Sequence, residues 1–210
     1  MGHQCIGLPL NGRLRLLDPS HGISDWRSPR FLVRTLRQYF VQHYLLYNSN
    51  KHQFPSANRA IAELTTAIKM DPKNIMLYMM RTRYLYNEGR FDEAIADCTE
   101  AIKLYPRMGP AYSSRAQIWM KKGEPQKSLA DFSEAIRINP RETTALLKRG
   151  LLLALKGDLD GAIADFTTVA TVEPKNAKAY RHRAHMYVLK GEKSKADKDF
   201  EMAARLESKK

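Results

Sequence analysis

Apolar residues in this chain recur at the spacing of an amphipathic helix, in short segments separated by glycine or proline. Within residues 109–142, Tyr112, Ala116 and Trp119 share one helical face. Gly123 follows them, and a glycine just past a helix ends it readily because it adopts the left-handed conformation at low cost. The pattern therefore predicts a first short helix that ends near residue 122.

A second helix follows within the same segment. Leu129, Phe132, Ala135 and Ile136 lie on one face at helical spacing. Pro140 ends this helix, because proline has no N–H to donate and its ring clashes with the preceding turn. Residues 109–142 are thus predicted to form a helix hairpin.

The hairpin pattern repeats every 34 residues. Prolines, glycines, aspartates and arginines all follow this period: Pro72, Pro106, Pro140 and Pro174; Gly89, Gly123, Gly157 and Gly191; Asp97, Asp131, Asp165 and Asp199; Arg81, Arg115, Arg149 and Arg183. Four residue types that share one period predict a tandem array, in which each hairpin buries its apolar face against the next.

The repeat resembles the tetratricopeptide repeat, whose pattern is W-x2-L-G-x2-Y, then A-x3-F, then P. Matching residues are Leu146, Gly150, Leu153, Ala162, Phe166 and Pro174 in one unit, and Tyr180, Ala184, Tyr187, Ala196 and Phe200 in the next. The resemblance implies an all-α fold, a right-handed α-solenoid of tandem helix hairpins (the TPR superhelix) with a concave and a convex face. Small residues at Ala116, Gly150 and Ala184 would let paired helices approach closely.

The expected organisation follows from the repeats. It comprises a disordered N-terminal segment at residues 1–28, a degenerate repeat-like helix pair at 29–74, repeats at 75–108, 109–142 and 143–176, and a C-terminal repeat at 177–210. In the degenerate pair the first helix is predicted at residues 29–47, and Ser56 is the predicted N-cap of the second. Asp197 stands where earlier units have an apolar residue, as expected for a terminal repeat with a polar outer face.

In the family that this sequence resembles, positions 2, 5, 6, 9, 12 and 13 of each first helix line a concave groove that binds a partner. Unit by unit, the residues that correspond are Met76, Met79, Met80, Arg83, Tyr86 and Asn87; Ser113, Ser114, Gln117, Met120 and Lys121; Thr144, Leu147, Lys148, Leu151 and Leu155; Lys178, Arg181, His182, His185 and Leu189. The groove is expected to be methionine-rich and apolar at the first repeat and basic and polar at the last repeat.

This groove predicts a non-enzymatic adaptor or scaffold for protein–protein interaction. The expected partner is an extended peptide or a helix with apolar anchors at one end and acidic residues at the other. Methionine suits a surface that repacks around varied ligands. The same flexibility lets methionine fill gaps in a core, so the alternative interpretation is that these methionines only pack between units.

A co-chaperone is a second hypothesis. Some family members clamp the C-terminal carboxylate of a heat-shock chaperone with five basic and amide side chains from three successive units. The corresponding sets here are Met79, Arg83, Ser114, Thr144 and Lys148, or Ser113, Gln117, Lys148, Lys178 and His182. Neither set is complete, and carboxylate capture needs converging charge-assisted donors. The sequence therefore disfavours a chaperone-tail clamp.

Net charge raises a third hypothesis, a nucleic-acid-associated factor. The chain carries +13 at pH 7 and its pI is about 9.8, which attracts acidic partners at low salt. The periodic arginines could follow phosphates, but each has an aspartate sixteen residues later in the same unit. Such a matched set predicts structural ion pairs, and nucleic acid is therefore the disfavoured partner.

The sequence offers no support for catalysis, a cofactor or a metal. His182 and His185 have the spacing of metal ligands, but no third ligand clusters with them. Cys98 occupies the position of Phe132, Phe166 and Phe200, which predicts a core residue rather than a nucleophile. No phosphate-binding loop or nucleophile elbow occurs.

An intracellular setting, most simply the cytoplasm, is expected. No run of 18 apolar residues occurs, the first residues do not resemble a secretory signal, and the two cysteines do not suggest a disulfide framework. Gly2 and Cys5 resemble the start of doubly acylated proteins, although Ile6 stands where such signals usually have serine or threonine. Whether these two residues are acylated is left open.

Overall fold

The computed structural model describes residues 56–208, which contain nine α-helices and no β-strand. The helices are α1 (Ala57–Met70), α2 (Ile75–Asn87), α3 (Phe91–Leu104), α4 (Gly109–Lys121), α5 (Pro125–Ile138), α6 (Thr143–Leu155), α7 (Leu159–Val172), α8 (Ala177–Leu189) and α9 (Lys193–Glu207). Each packs against its neighbours along the chain. The all-α architecture of tandem hairpins is therefore confirmed. None of these helices has the length and apolar character that a bilayer span requires.

Two expectations concern residues that lie outside this range, the disordered segment at 1–28 and the first helix of the degenerate pair at 29–47. Gly2 and Cys5, whose resemblance to acylated termini is incomplete, also lie outside it. The second helix of the degenerate pair is α1, and it begins directly after Ser56. The Ser56 hydroxyl makes no capping hydrogen bond; its backbone carbonyl accepts from the N–H groups of Arg59 and Ala60 instead.

Glycine ends the first helix of every hairpin from α2 onward. Gly89, Gly123, Gly157 and Gly191 have φ angles of +72°, +74°, +88° and +76°, in the left-handed region that glycine enters at low cost. An added Cβ at any of them would meet no heavy atom within 4 Å. Backbone conformation, rather than lack of space, therefore favours glycine at these turns. The periodic prolines lie in the exposed turns between hairpins.

Inside each hairpin a residue of the first helix faces a residue of the second, and their sizes are complementary. Gly150 faces the fully buried Phe166, and an added Cβ on Gly150 would lie 2.7 Å from Phe166 Cε1. In the first repeat two side chains of intermediate size meet instead. Thr82 faces Cys98 there, with 3.7 Å between Thr82 Oγ1 and Cys98 Sγ. Close approach of α6 and α7 therefore depends on the missing side chain of Gly150.

Ion pairs join some hairpins at their turns. Lys122, at the end of α4, pairs with Asp92 at the start of α3. Lys190, at the end of α8, pairs with Asp160 at the start of α7. At the interface between the α4–α5 and α6–α7 hairpins, the equivalent positions are Lys156 and Gln126. A glutamine cannot form an ion pair with lysine, so the middle interface lacks this contact.

Candidate functional site

The predicted groove positions lie on α2, α4, α6 and α8, the first helices of four hairpins. These helices run in the same direction, because the second helix of each hairpin returns the chain between them. Equivalent positions of successive repeats therefore lie side by side. Met76 is 52% exposed, whereas Met79, Met80 and Tyr86 are half-buried.

A pocket of about 260 Å³ lies between α2 and α4. Its lining consists of Met79, Thr82, Arg83 and Tyr86 from α2 and Ser114, Gln117 and Ile118 from α4. Thr82 and Ile118 are buried and form its floor. These two residues were not predicted, because their helical positions belong to the core face and both stay buried beneath the pocket. The lining is mainly apolar, from Met79, Tyr86 and Ile118, with polar groups from Arg83, Ser114 and Gln117 beside it.

Some predicted groove residues also contribute to the core. Leu147 and Leu151 are half-buried and pack against the cluster that contains Phe166 and Met186. Met120 packs against the cluster around Phe132. The alternative interpretation of the methionines, packing inside the array, thus holds at Met120.

A cationic band crosses the N-terminal halves of α6 and α8. It consists of Lys148, Lys178, Arg181 and His182. Arg181 also pairs with Glu207 of α9. The His182 ring packs on the Phe166 ring at 5.4 Å between centroids. Burial, together with the surrounding cations, holds the pKa of His182 below its usual value.

An apolar band crosses the C-terminal halves of the same two helices. It consists of Leu151, Leu155, Val188 and Leu189, and the last three are 86%, 54% and 67% exposed. Leu155 and Leu189 occupy equivalent positions at the ends of α6 and α8. Val188 was not predicted, although its position 12 is the same as that of Tyr86 and Met120, so the period contained the signal. At the basic end of the groove, the N-terminal halves of α6 and α8 therefore carry the cations, and their C-terminal halves carry the apolar side chains.

The groove positions contain no aspartate or glutamate. Cations occupy several of them, including Arg83, Lys121, Lys148 and Lys178. The acidic residues of the repeats lie mostly on the second helices and in the turns. From outside these positions, Glu142 accepts a hydrogen bond from Ser113 and Glu207 pairs with Arg181. Among residues 56–208, the cations without such a partner at the basic end are therefore Lys148 and Lys178.

The periodic arginines are engaged in the interior of the hairpins, as the sixteen-residue spacing predicted. Each donates two hydrogen bonds to the aspartate of its own repeat, at 2.6–2.9 Å: Arg81 to Asp97, Arg115 to Asp131, Arg149 to Asp165, and Arg183 to Asp199. The aspartates are buried. These bonds raise the pKa of every one of the four arginines. The guanidinium groups are thus held away from an external phosphate.

Each of these arginines also contacts the preceding repeat. Its Nη1 donates to a hydroxyl on the preceding second helix: Arg81 to Thr65, Arg115 to Thr99, Arg149 to Ser133, and Arg183 to Thr167. We call the set of hydroxyls, arginines and aspartates the polar ladder. The hydroxyls were missed, although Thr65, Thr99, Ser133 and Thr167 also follow the 34-residue period. The polar ladder therefore joins hairpins as well as the helices within them.

Cys98 is a core residue, as predicted. It is fully buried, and burial raises the pKa of its thiol to about 12. His185 is exposed and lies edge-on to the Phe200 ring at 5.1 Å between centroids. Residues 56–208 contain no group of three His, Cys, Asp or Glu side chains placed to share a metal ion.

Comparison with known proteins identifies the repeat. The family model for the tetratricopeptide repeat matches residues 57–109 and 114–171, more than half of the chain. No sequence among curated proteins matches the chain significantly.

Solved structures of tetratricopeptide-repeat proteins share the fold. A MamA fragment from Desulfovibrio magneticus RS-1 is 17% identical, covers 87% of this chain and 97% of its own, and superposes with a TM-score of 0.71. YrrB, described as a TPR protein with an unusual peptide-binding site, is 21% identical over 86% of this chain and 92% of its own, with a TM-score of 0.65. The first TPR of Spaghetti (RPAP3), bound to the HSP90 peptide SRMEEVD, is 21% identical over 58% of this chain and 96% of its own, with a TM-score of 0.54.

These identities are low, and the likenesses show the fold alone. Together with the family match, they confirm the right-handed α-solenoid that the repeat pattern implied. The chain belongs to the tetratricopeptide-repeat family.

Proposed function

We propose that this chain is a non-enzymatic adaptor that holds a segment of a partner protein in the groove formed by α2, α4, α6 and α8. The observation that carries the proposal is a groove with an apolar pocket at one end, cations at the other, and no acidic residue among the positions that line it. Tetratricopeptide-repeat proteins are generally non-catalytic interaction modules, and both YrrB and Spaghetti are described with peptides.

The chemistry of the groove specifies the partner segment. One apolar side chain of the partner enters the pocket beside Met79 and Tyr86, where burial of its surface supplies affinity. Aspartate or glutamate side chains of the partner approach Lys148 and Lys178, where opposite charge steers the encounter and sets the orientation.

Catalysis finds no support in the described residues. The thiol of Cys98 is buried, and its raised pKa keeps it in the unreactive protonated form at neutral pH. The polar ladder occupies both the arginines and the aspartates of the repeats. The apolar side chains and cations on the groove surface are suited to binding a partner.

Affinity capture with matched variants tests the proposal. Met79→Glu places a charge at the pocket, and Lys178→Glu reverses a cation of the groove. Each should abolish recovery of the proteins that the wild-type chain retains, because a groove-bound segment meets both positions. Met70→Glu on α1 and Lys103→Glu on α3 make the same changes outside the groove and should leave recovery intact.

Circular dichroism of all four variants checks that each one folds. The proposal is wrong if folded Met79→Glu and Lys178→Glu proteins recover the same partners as wild type. Nuclease treatment and salt separate the nucleic-acid hypothesis, because phosphate-driven binding weakens steeply as salt rises. If recovery disappears with nuclease, nucleic acid bound through the net positive charge of the chain, rather than the groove, accounts for the recovered proteins.

The peptide SRMEEVD serves as the probe for the co-chaperone hypothesis. Of the two corresponding clamp sets, the first has Met79 and Thr144 at positions where the clamp needs donors with full charge or an amide. We expect no saturable binding of this peptide by fluorescence anisotropy. Tight binding that is lost with Lys148→Glu would establish the clamp instead.

A further inference from the structure

The last two repeats present two parallel bands with opposite chemistry. The cationic band lies near the N-terminal ends of α6 and α8, and the apolar band near their C-terminal ends. Lys148 and Leu155 are seven residues apart on one helix, about 10 Å at a rise of about 1.5 Å per residue, whereas Leu151 of the apolar band is only three residues from Lys148. The two bands therefore lie next to each other on α6. Both bands run across the helices and pass from one repeat to the next.

The apolar band is unusual for a protein surface. Leu155 and Leu189 are 86% and 67% exposed, and Val188 lies beside them. Single exposed apolar side chains are ordinary, whereas a group of them rimmed by charged residues marks an interaction site. Leu151 connects the group to the core cluster beneath it. A partner that covers this band would remove several apolar side chains from water at once.

The number of side chains in the two bands indicates whether the partner segment is extended or helical. Four apolar residues, three cations and His182 lie within the width of two neighbouring first helices. An extended segment advances about 3.3 Å per residue, and a helix about 1.5 Å. Over the same length a helix therefore presents about twice as many residues, with its apolar and polar side chains on opposite faces.

We propose that the last two repeats bind one amphipathic helix of the partner, with its apolar face on the apolar band and its carboxylates on the cationic band. An α-helix with side chains is about 10–12 Å in diameter, which is wide enough to contact both bands at once. This inference rests on the proposed function and specifies the conformation of the ligand at one end of the groove.

Synthetic peptides test the pattern. The probe is a peptide of about 18 residues, five turns of helix, with leucines on one helical face and glutamates on the other. The matched control has the same composition with leucine and glutamate in alternation, a pattern that forms no amphipathic helix. By fluorescence anisotropy with the full chain, the helical pattern should bind at least about tenfold more tightly. Its far-UV circular dichroism should gain helical signal on binding.

Variants of the chain locate the contact. Leu155→Ser with Leu189→Ser removes the exposed apolar side chains, and Lys148→Gln with Lys178→Gln removes two cations. Each pair should weaken the probe at least about tenfold, and only the lysine pair should reduce the salt dependence. Leu104→Ser with Tyr105→Ser removes exposed apolar side chains at the end of α3 and should leave binding unchanged.

Three outcomes would overturn the inference: no saturable binding of the helical probe, equal binding of the alternating peptide, or unchanged binding to the Leu155→Ser and Leu189→Ser variant. Each of these leaves the proposed function standing if Met79→Glu and Lys178→Glu still abolish partner recovery. Conversely, unchanged partner recovery by those two variants contradicts the adaptor proposal whatever the peptides do.

Discussion

The side-chain sizes inside the hairpins are complementary. This complementarity explains why Cys98 stands at the position where the other three repeats have Phe132, Phe166 and Phe200. Phe132 and Phe166 are fully buried against Ala116 and Gly150, the small residues of the first helices. In the first repeat Thr82 takes the place of the small residue. Cys98 takes the place of the phenylalanine, so two side chains of intermediate size meet where the later repeats pair a small residue with a large one.

Cys98→Phe should lower the free energy of unfolding by about 1–3 kcal/mol, because the larger side chain is forced against Thr82 in a filled core. Adding Thr82→Ala should restore most of the loss, since the pair then matches Ala116 and Phe132. Urea unfolding followed by circular dichroism measures both values. If the double variant were as unstable as Cys98→Phe alone, size complementarity would not be the reason for Cys98.

Protonation of His182 should destabilise the folded chain. Burial and the nearby His185, Arg181, Lys178 and Lys148 lower its pKa below the ordinary value of 6.5, so the folded state binds the proton less tightly than the unfolded chain. Stability is therefore full above about pH 6.5 and falls as acid passes from that value to the lower folded pKa.

His182→Gln removes this titration. Thermal unfolding between about pH 7.5 and pH 5.5 should show a smaller loss of stability for the variant than for wild type, since glutamine takes up no proton at this position. His185→Gln is the matched control, because its ring is exposed. Identical pH dependence of wild type and His182→Gln would show that His182 does not carry the effect.

At the scale of helices, the interfaces between neighbouring hairpins differ in one contact. Asp92 and Asp160 each accept a lysine from the next repeat. Gln126 stands at the same position in the middle interface, opposite Lys156. The middle interface, which lacks the ion pair, can therefore be used to measure how much the pair contributes to stability.

Gln126→Asp should add the missing pair and raise the free energy of unfolding by about 0.2–1 kcal/mol, as exposed ion pairs do. An acidic residue in the first turn of α5 also interacts favourably with the helix dipole, by about 0.3–1 kcal/mol. Repeating the change in a Lys156→Met background separates these effects, because only the ion pair needs the lysine. An equal gain in both backgrounds, measured by urea unfolding, would exclude the ion pair.

The 34-residue period predicted the hairpins, the glycine turns and the arginine–aspartate pairs, because each depends on local spacing that recurs four times. The pocket floor at Thr82 and Ile118 could not be predicted in this way, since its accessibility depends on how far two hairpins separate. The exposure of Leu155 and Leu189 is likewise a property of the stack. The same residue type at Leu152 is buried one turn earlier.

For the described residues as a whole, packing is one-dimensional. Each helix contacts its neighbours along the chain, so stability is a sum of hairpin terms and interface terms. Helix α9 packs on α8 and has no following helix among residues 56–208. Its surface carries exposed charged residues, among them Lys193, Asp197 and Lys198.

Hydrogen exchange should therefore show a gradient. The amides of α9 should open at a lower free energy than those of α4 to α7, which are held on both sides. Native-state exchange followed by mass spectrometry resolves the helices. Equal protection across α4 to α9 would mean that the array opens only as a single cooperative unit.

The polar ladder also has a consequence for how such an array grows. Each of the four repeats from α2 to α9 carries its own arginine and aspartate, and its arginine donates to a hydroxyl on the second helix that precedes it. A gene duplication that copies 34 residues of α2 to α7 in frame would deliver a donor and an acceptor that already fit both neighbours. Lengthening or shortening of the chain by whole hairpins would then leave no buried aspartate without its arginine, so the number of repeats can change in evolution while their connection is conserved.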